Sequence, residues 1–172
     1  LTRSRSTAFG SSSAGWGFNK PTQDLYNEFE NSDPRRDVTI LNPTDAEIIN
    51  STEEIYLGSR YCNRKYSMMG QDGKYIPLSH ASRSPLNYRV IRYADVLLMY
   101  AEACCEENAT TEAKAALEKV RSRARGNNPA ILPEFPGYNN YQDTKDDLMK
   151  AIRHERRVEL AMEGHRWFDL CR

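Results

Sequence analysis

Tyr93, Val96, Leu97, Tyr100, Ala101 and Cys104 recur at i, i+3, i+4, i+7, i+8 and i+11, the spacing of one face of an α-helix. The pattern predicts a first long helix over roughly Arg92 to Glu107. A second helix follows, with Ala113, Ala116, Leu117, Val120 and Ala124 on one face. Thr110 or Thr111 is expected to cap it and Gly126 to stop it. A third is expected from Asp143 or Thr144 to about Met162, with Thr144 and Asp147 approximating a capping box and Gly164 as the stop. Between the second and third, Asn127 to Tyr141 holds Pro129, Pro133, Pro136 and Gly137, a long excursion without regular structure.

The first half reads differently. Ser11 to Thr22 is a Gly/Ser-rich loop carrying Trp16 and Phe18. Thr22 caps a short expected helix over Asp24 to Glu30, with Leu25, Tyr26 and Phe29 on its apolar face. Ser32-Asp33-Pro34-Arg35 reads as a turn. Short strands are expected at Val38 to Leu41, Ile55 to Leu57 and Ser59 to Tyr66, with a tight turn at Asp72-Gly73. The division is therefore an irregular, loop-rich segment over 1–90 and a helical scaffold over 91–172. The fold class is mostly α, with irregular loops and a few short strands. Small residues on the facing sides of the first two long helices, Ala101, Ala103, Ala113, Ala115 and Ala116, suit one tetratricopeptide-like hairpin. Such hairpins are usually stable only in series, at least three repeats together.

Composition narrows the function. Lys plus Arg equals Asp plus Glu, 24 of each, so no electrostatic footprint marks nucleic acid or an anionic membrane as a partner. The longest apolar run, Val96 to Ala101, is far short of the roughly 20 residues that cross a bilayer as a helix. The chain begins at Leu1 rather than Met and closes within a helix-like pattern, so an internal piece of a longer protein is expected. Cys62, Cys104, Cys105 and Cys171 form no CxxC pair and no zinc spacing, and read as small hydrophobes. His154-Glu155 opens like HExxH, but position 158 is Val, which removes the second zinc ligand. His80 and His165 are isolated. No metal site, no cofactor, no GxSxG and no phosphate-binding glycine loop is found.

Glu155 and Glu159 fall on the apolar face of the third helix with Leu148, Ile152 and Met162. Two carboxylates four residues apart repel unless each meets a cation. Arg92, Arg121 and Arg123 are the expected partners, since a guanidinium holds a carboxylate bidentately. Read as chemistry, the two carboxylates suit a hydrolase acid/base pair. Read as structure, they lock helix to helix. The helical surroundings favour the second reading, and no catalytic residue is assigned.

The series RYADVLLMYAEA, then a helix ending VRSRAR, then ERRVELAMEGHRWFDL resembles the C-terminal half of the SusD/RagB family. GWGFNKPTQDLYNEFENSDPRRDVTI resembles that family's stretch of loop, Pro-Thr helix entry and DPR. The resemblance implies part of one larger SusD-like domain with a tetratricopeptide-like scaffold. It implies a surface lipoprotein of the outer membrane of Bacteroidota, anchored by lipid outside these residues. Its partners would be a glycan and a SusC-like TonB-dependent outer-membrane transporter. The implied function is non-catalytic capture of oligosaccharide and delivery to that transporter, not an enzyme activity. ERRxEL and its continuation are a scaffold signature in that family. Its glycan contacts come from variable loop aromatics, so no binding residue carries over by motif.

Chemistry and position instead single out Trp16, Phe18 and Asn19 on the glycine-rich loop, then Tyr138 and Tyr141 on the proline-rich excursion. Flat rings cover the C–H face of a sugar while amides bond its hydroxyls. The plain structural alternative is that these rings plug the core. Two other functions stay open: a protein-interaction helical repeat without saccharide binding, and a glycosidase.

Overall fold

The computed structural model describes residues 19–42, 59–66 and 87–172. The chain divides into two compact units, one of Leu1–Tyr26 with Asp37–Tyr88, the other of Asn27–Arg36 with Arg89–Arg172. The expected strand at Ile55 to Leu57 and turn at Asp72-Gly73 lie outside the described residues.

Thr22 caps helix α1 (Gln23–Glu28), its Oγ1 accepting the Leu25 amide at 3.1 Å. The helix starts one residue before and ends two residues before the span expected from sequence. Tyr26 stacks on Tyr61 with ring centroids 4.7 Å apart, and the Tyr61 hydroxyl donates to Gln23 at 2.8 Å. Strands β1 (Ile40–Leu41) and β2 (Cys62–Asn63) pair antiparallel, Ile40 opposite Asn63 and Leu41 opposite Cys62. Both are shorter than expected. Val38 and Thr39 belong instead to helix α2 (Pro34–Thr39). The turn expected at Ser32 to Arg35 is the entry to that helix. Asp33 Oδ1 accepts the Arg35 amide at 2.9 Å, and Pro34 sits at the first helical position, where its missing N–H costs nothing.

The second unit is built on helices α3 (Tyr93–Glu106), α4 (Thr110–Arg125) and α5 (Lys145–Glu159), followed by the short α6 (Arg166–Cys171). Only three residues join α3 to α4, which makes them antiparallel neighbours. Asn108 takes a left-handed φ of 63° in that turn. Lys145 Nζ reaches back from α5 to donate to the Glu106 carbonyl at 2.7 Å, satisfying an orphan acceptor at the end of α3. The core includes Leu98, Ala101 and Cys105 from α3, Ala113, Ala116, Leu117 and Val120 from α4, and Leu148, Ala151 and Ile152 from α5.

Three expectations about these helices are corrected. The first concerns the face of α3. Of the expected face, Ala101 lies in the core and Leu97 and Cys104 pack against it, beside Ala94, Leu98 and Cys105, whereas Tyr93, Val96 and Tyr100 are exposed. The small residues Ala94, Ala101 and Cys105 of the core stripe suit the close approach of α4. The second concerns the start of α4. Ala109 is the capping position and no side chain caps it, so neither Thr110 nor Thr111 does. The third concerns the ends of α5. Thr144 does cap it, accepting the Asp147 amide at 3.2 Å, but the Asp147 carboxylate accepts from Gln142 and Lys150 instead of closing a box. The helix stops at Glu159, and the chain turns away through Met162 (φ 66°) and Gly164 (φ 87°).

The segment after Gly126 has no regular structure, as its prolines dictate. Arg121 and Arg125 hold it from α4, donating to the carbonyls of Pro133 (3.0 and 2.9 Å) and Leu132 (2.8 Å). The side chain of Leu132, within this segment, is buried.

Candidate functional site

α5 presents Glu155 and Glu159 inward, one turn apart, and both are buried, at 0% and 4% exposure. Burying a carboxylate without a cation is prohibitive, so the surrounding elements supply guanidinium groups. Glu155 Oε2 accepts from Arg121 Nη1 at 2.9 Å, and its Oε1 is bonded by Arg35. Glu159 Oε1 accepts from Arg92 at 2.9 Å and from Arg123 at 2.6 Å, and Arg35 lies 3.2 Å from its Oε2. The structure thus brings Arg92, Arg121, Arg123, Glu155 and Glu159 into one network.

Sequence reading missed the other half of that network. Arg35 is held by Asp33 at 2.8 Å, and the surrounding carboxylates raise its already high pKa against the effect of burial. Arg121 also donates to Glu30 at 2.7 Å, and Arg92 to Glu163 at 2.7 Å. Arg157 bonds Glu28 at 2.6 Å. His154 places Nδ1 2.9 Å from Glu28 and Nε2 3.4 Å from Glu30. Burial opposes a charge on His154, but the two carboxylates outweigh it and hold the imidazole up at about 9. Burial would likewise raise Glu30, yet His154 and Arg121 pull it down to about 2. A further pair of contacts, Arg156 to Asp95 at 2.8 Å and to Asp169 at 3.1 Å, ties α5 to α3 and α6. Charged residues in DPR and in NEFE were the available signal. Nothing local in sequence says that they fold back more than 90 residues away.

This arrangement holds helices; it does not offer chemistry. Each oxygen of Glu155 and Glu159 already accepts from a guanidinium, and neither carboxylate faces solvent. Among the described residues no group of His, Cys, Asp and Glu is placed to hold a metal ion. His80 lies outside the described residues, and His165 precedes α6.

Of the residues singled out for a ligand, Asn19, Tyr138 and Tyr141 lie among the described residues. Trp16 and Phe18 lie outside the described residues. Asn19 is exposed in a left-handed conformation, φ 55°, which Asn tolerates. Tyr138 packs inward. Its ring lies 3.7 Å from the Arg121 guanidinium carbon and packs edge-on against Tyr141 at 5.2 Å, leaving it 8% exposed. It is a core residue that covers a buried cation. Burial also pushes its phenol above the ordinary range. Tyr141 is half-buried beside Phe135, centroids 6.0 Å apart.

Comparison with known proteins adds three findings. Over 168 residues the chain is 29% identical to the SusD-like protein P2 of Formosa agariphila, covering 92% of this chain and 32% of that one. Over 90 residues it is 38% identical to a SusD-like protein of Bacteroides ovatus, covering 51% of this chain and 14% of that one. Its fold is similar to that of surface glycan-binding protein A from Bacteroides uniformis, with a TM-score of 0.66 and 28% identity, over 99% of this chain and 33% of that one. The chain therefore spans about a third of the length of the first of these relatives and of the solved structure. Residues 52–172 match the model of the SusD family, and the chain belongs to that family.

Proposed function

We propose that the protein carrying this chain binds a glycan at the bacterial outer-membrane surface, without catalysis, and delivers it to a SusC-like TonB-dependent transporter. It would be held at the surface by a lipid anchor, as SusD-family proteins are. Among the described residues no helix is long and apolar enough to cross a membrane. The observation that carries the reading is the likeness of nearly the whole chain to a surface glycan-binding protein of Bacteroides uniformis. The burial of Glu155 and Glu159 against arginines supports the non-catalytic part, since an acid/base pair must reach its substrate.

In this reading residues 1–90 carry the ligand and residues 91–172 support them. Trp16, Phe18 and Asn19 remain the proposed contacts, with Tyr141 at the edge of the proline-rich segment. Affinity electrophoresis of the full-length protein against a panel of polysaccharides tests this, beside a Trp16→Ala variant. Retardation by a polysaccharide, lost in the variant, supports both function and site. Retardation of both proteins keeps the function and moves the site. No retardation by any polysaccharide overturns the reading.

A further inference from the structure

His154 on α5 stands between two carboxylates that come from a distant part of the chain. Its Nδ1 lies 2.9 Å from Glu28 Oε1, and its Nε2 faces Glu30 Oε1 at 3.4 Å. The imidazole is 9% exposed, and Nε2 is fully enclosed. A histidine ring nitrogen is either a donor or a bare lone pair. With a proton on Nδ1 alone, the Nε2 lone pair faces Glu30. With a proton on Nε2 alone, the Nδ1 lone pair meets Glu28 at hydrogen-bond distance. Each neutral tautomer therefore sets a lone pair against a carboxylate, and the imidazolium alone has a proton for both. The geometry selects the cation.

The groups around the ring hold their charge states. Arg121 bonds Glu30 and Arg157 bonds Glu28, and guanidinium groups stay charged. Glu155, the next residue on α5, is paired with Arg121 and Arg35. Tyr138 packs beside the imidazole, centroids 6.3 Å apart, and Tyr141 packs on Tyr138. Burial holds both phenols above their ordinary range. His154, held at about 9, is thus the group of this cluster that changes charge between neutral and alkaline pH.

Segment Asn27–Arg36 has one large apolar anchor, Phe29, 4% exposed. Its other fastenings to the long helices are ionic. At one end His154 touches both Glu28 and Glu30. At the other, Arg35 holds Glu155 and Glu159 without His154.

We infer that His154 is a latch: as an imidazolium it pins residues 28–30 to α5, and loss of one ring proton releases that stretch while Arg35 keeps the other end in place and the long helices stay folded. The release is local because the core of Leu98, Leu117 and Ile152 and the Arg121–Glu155 pair contain no part of the titrating group. Openings of this kind cost less than global unfolding.

Hydrogen exchange of the full-length protein tests the latch, read on peptides and expressed as protection relative to the unfolded chain at the same pH. Between pH 7 and 9.5, peptides covering 27–33 should lose at least tenfold in protection, while peptides from α4 keep theirs. His154→Gln, which like the neutral ring offers both a donor and an acceptor, should show the loosened stretch already at pH 7 and little further change at pH 9.5. Unchanged protection of 27–33 in the native protein overturns the inference. An equal loss in α4 also overturns it, because the protein then opens as a whole. A pH response that survives in His154→Gln assigns the titration to another group, with the same consequence. The first two outcomes are read on the native protein, so they decide the matter even where the variant does not fold.

Discussion

Arg121 donates to Glu155 at 2.9 Å with neither side chain exposed, while its guanidinium lies 3.7 Å from the centre of the Tyr138 ring. The pair joins α4 to α5 and roofs the joint with an aromatic ring. A planar cation suits this position because it can donate in its plane and stack on its face at the same time.

Arg121→Met should therefore cost about 3 kcal/mol, because it leaves Glu155 with Arg35 alone and Glu30 with His154 alone, and frees the Pro133 carbonyl. Arg121→Lys should recover little, since an ammonium cannot fork between two carboxylates and a carbonyl. Urea unfolding of the full-length protein measures both. A loss under about 1 kcal/mol for Arg121→Met would show that water reaches the pair.

Glu159→Ala should lower the melting temperature by several degrees, since Arg92, Arg123 and Arg35 all meet its carboxylate. Polysaccharide affinity per folded molecule should stay nearly unchanged. A large loss of affinity at unchanged melting temperature would transfer Glu159 from scaffold to binding site.

His154 makes stability depend on pH, with a defined sign. Its pKa rises from 6.5 to about 9 on folding. The contribution is fully present below pH 6.5 and is lost as pH climbs through 9, worth on the order of 3 kcal/mol. Glu30 runs the other way, from 4.5 to about 2, so its contribution holds above pH 4.5 and disappears on acidification towards 2. The melting temperature of His154→Gln should fall below that of the native protein at pH 6, and the gap should close by about pH 9.5. A gap constant across that range would mean His154 acts by packing alone.

Thr144→Ala should cost about 1 kcal/mol by leaving the Asp147 amide at the start of α5 without its acceptor. Thr144→Ser should restore most of it, in the same unfolding measurement.

The three long helices were legible because each has a run of apolar residues at helical spacing and a stop such as Gly126. Their orientation was less so. In α3 large apolar residues flank the core stripe, so the spacing found Leu97, Ala101 and Cys104, which lie in or against the core, together with Tyr93, Val96 and Tyr100, which are exposed. Arg92, Arg121 and Arg123 were legible as partners of Glu155 and Glu159 because all five lie on or next to the long helices. Arg35, Asp33, Glu28 and Glu30 were not. Their role depends on a chain reversal that leaves no periodic trace. Asp33-Pro34 fits a turn and a helix entry equally well, and only the helix that continues to Thr39 separates the two.

Segment Asn27–Arg36 is fastened to the helices by Glu28 (to Arg157 and His154), Glu30 (to Arg121 and His154) and Arg35 (to Glu155 and Glu159), with Asp33 orienting Arg35. Fastening of this kind behaves like the notches of a key. A single residue inserted or deleted between Glu28 and Arg35 would shift several charges off their partners together. The prediction for natural variation is that this stretch tolerates substitution at Asn31 but keeps its length, whereas a segment such as 127–131 is free to grow or shrink.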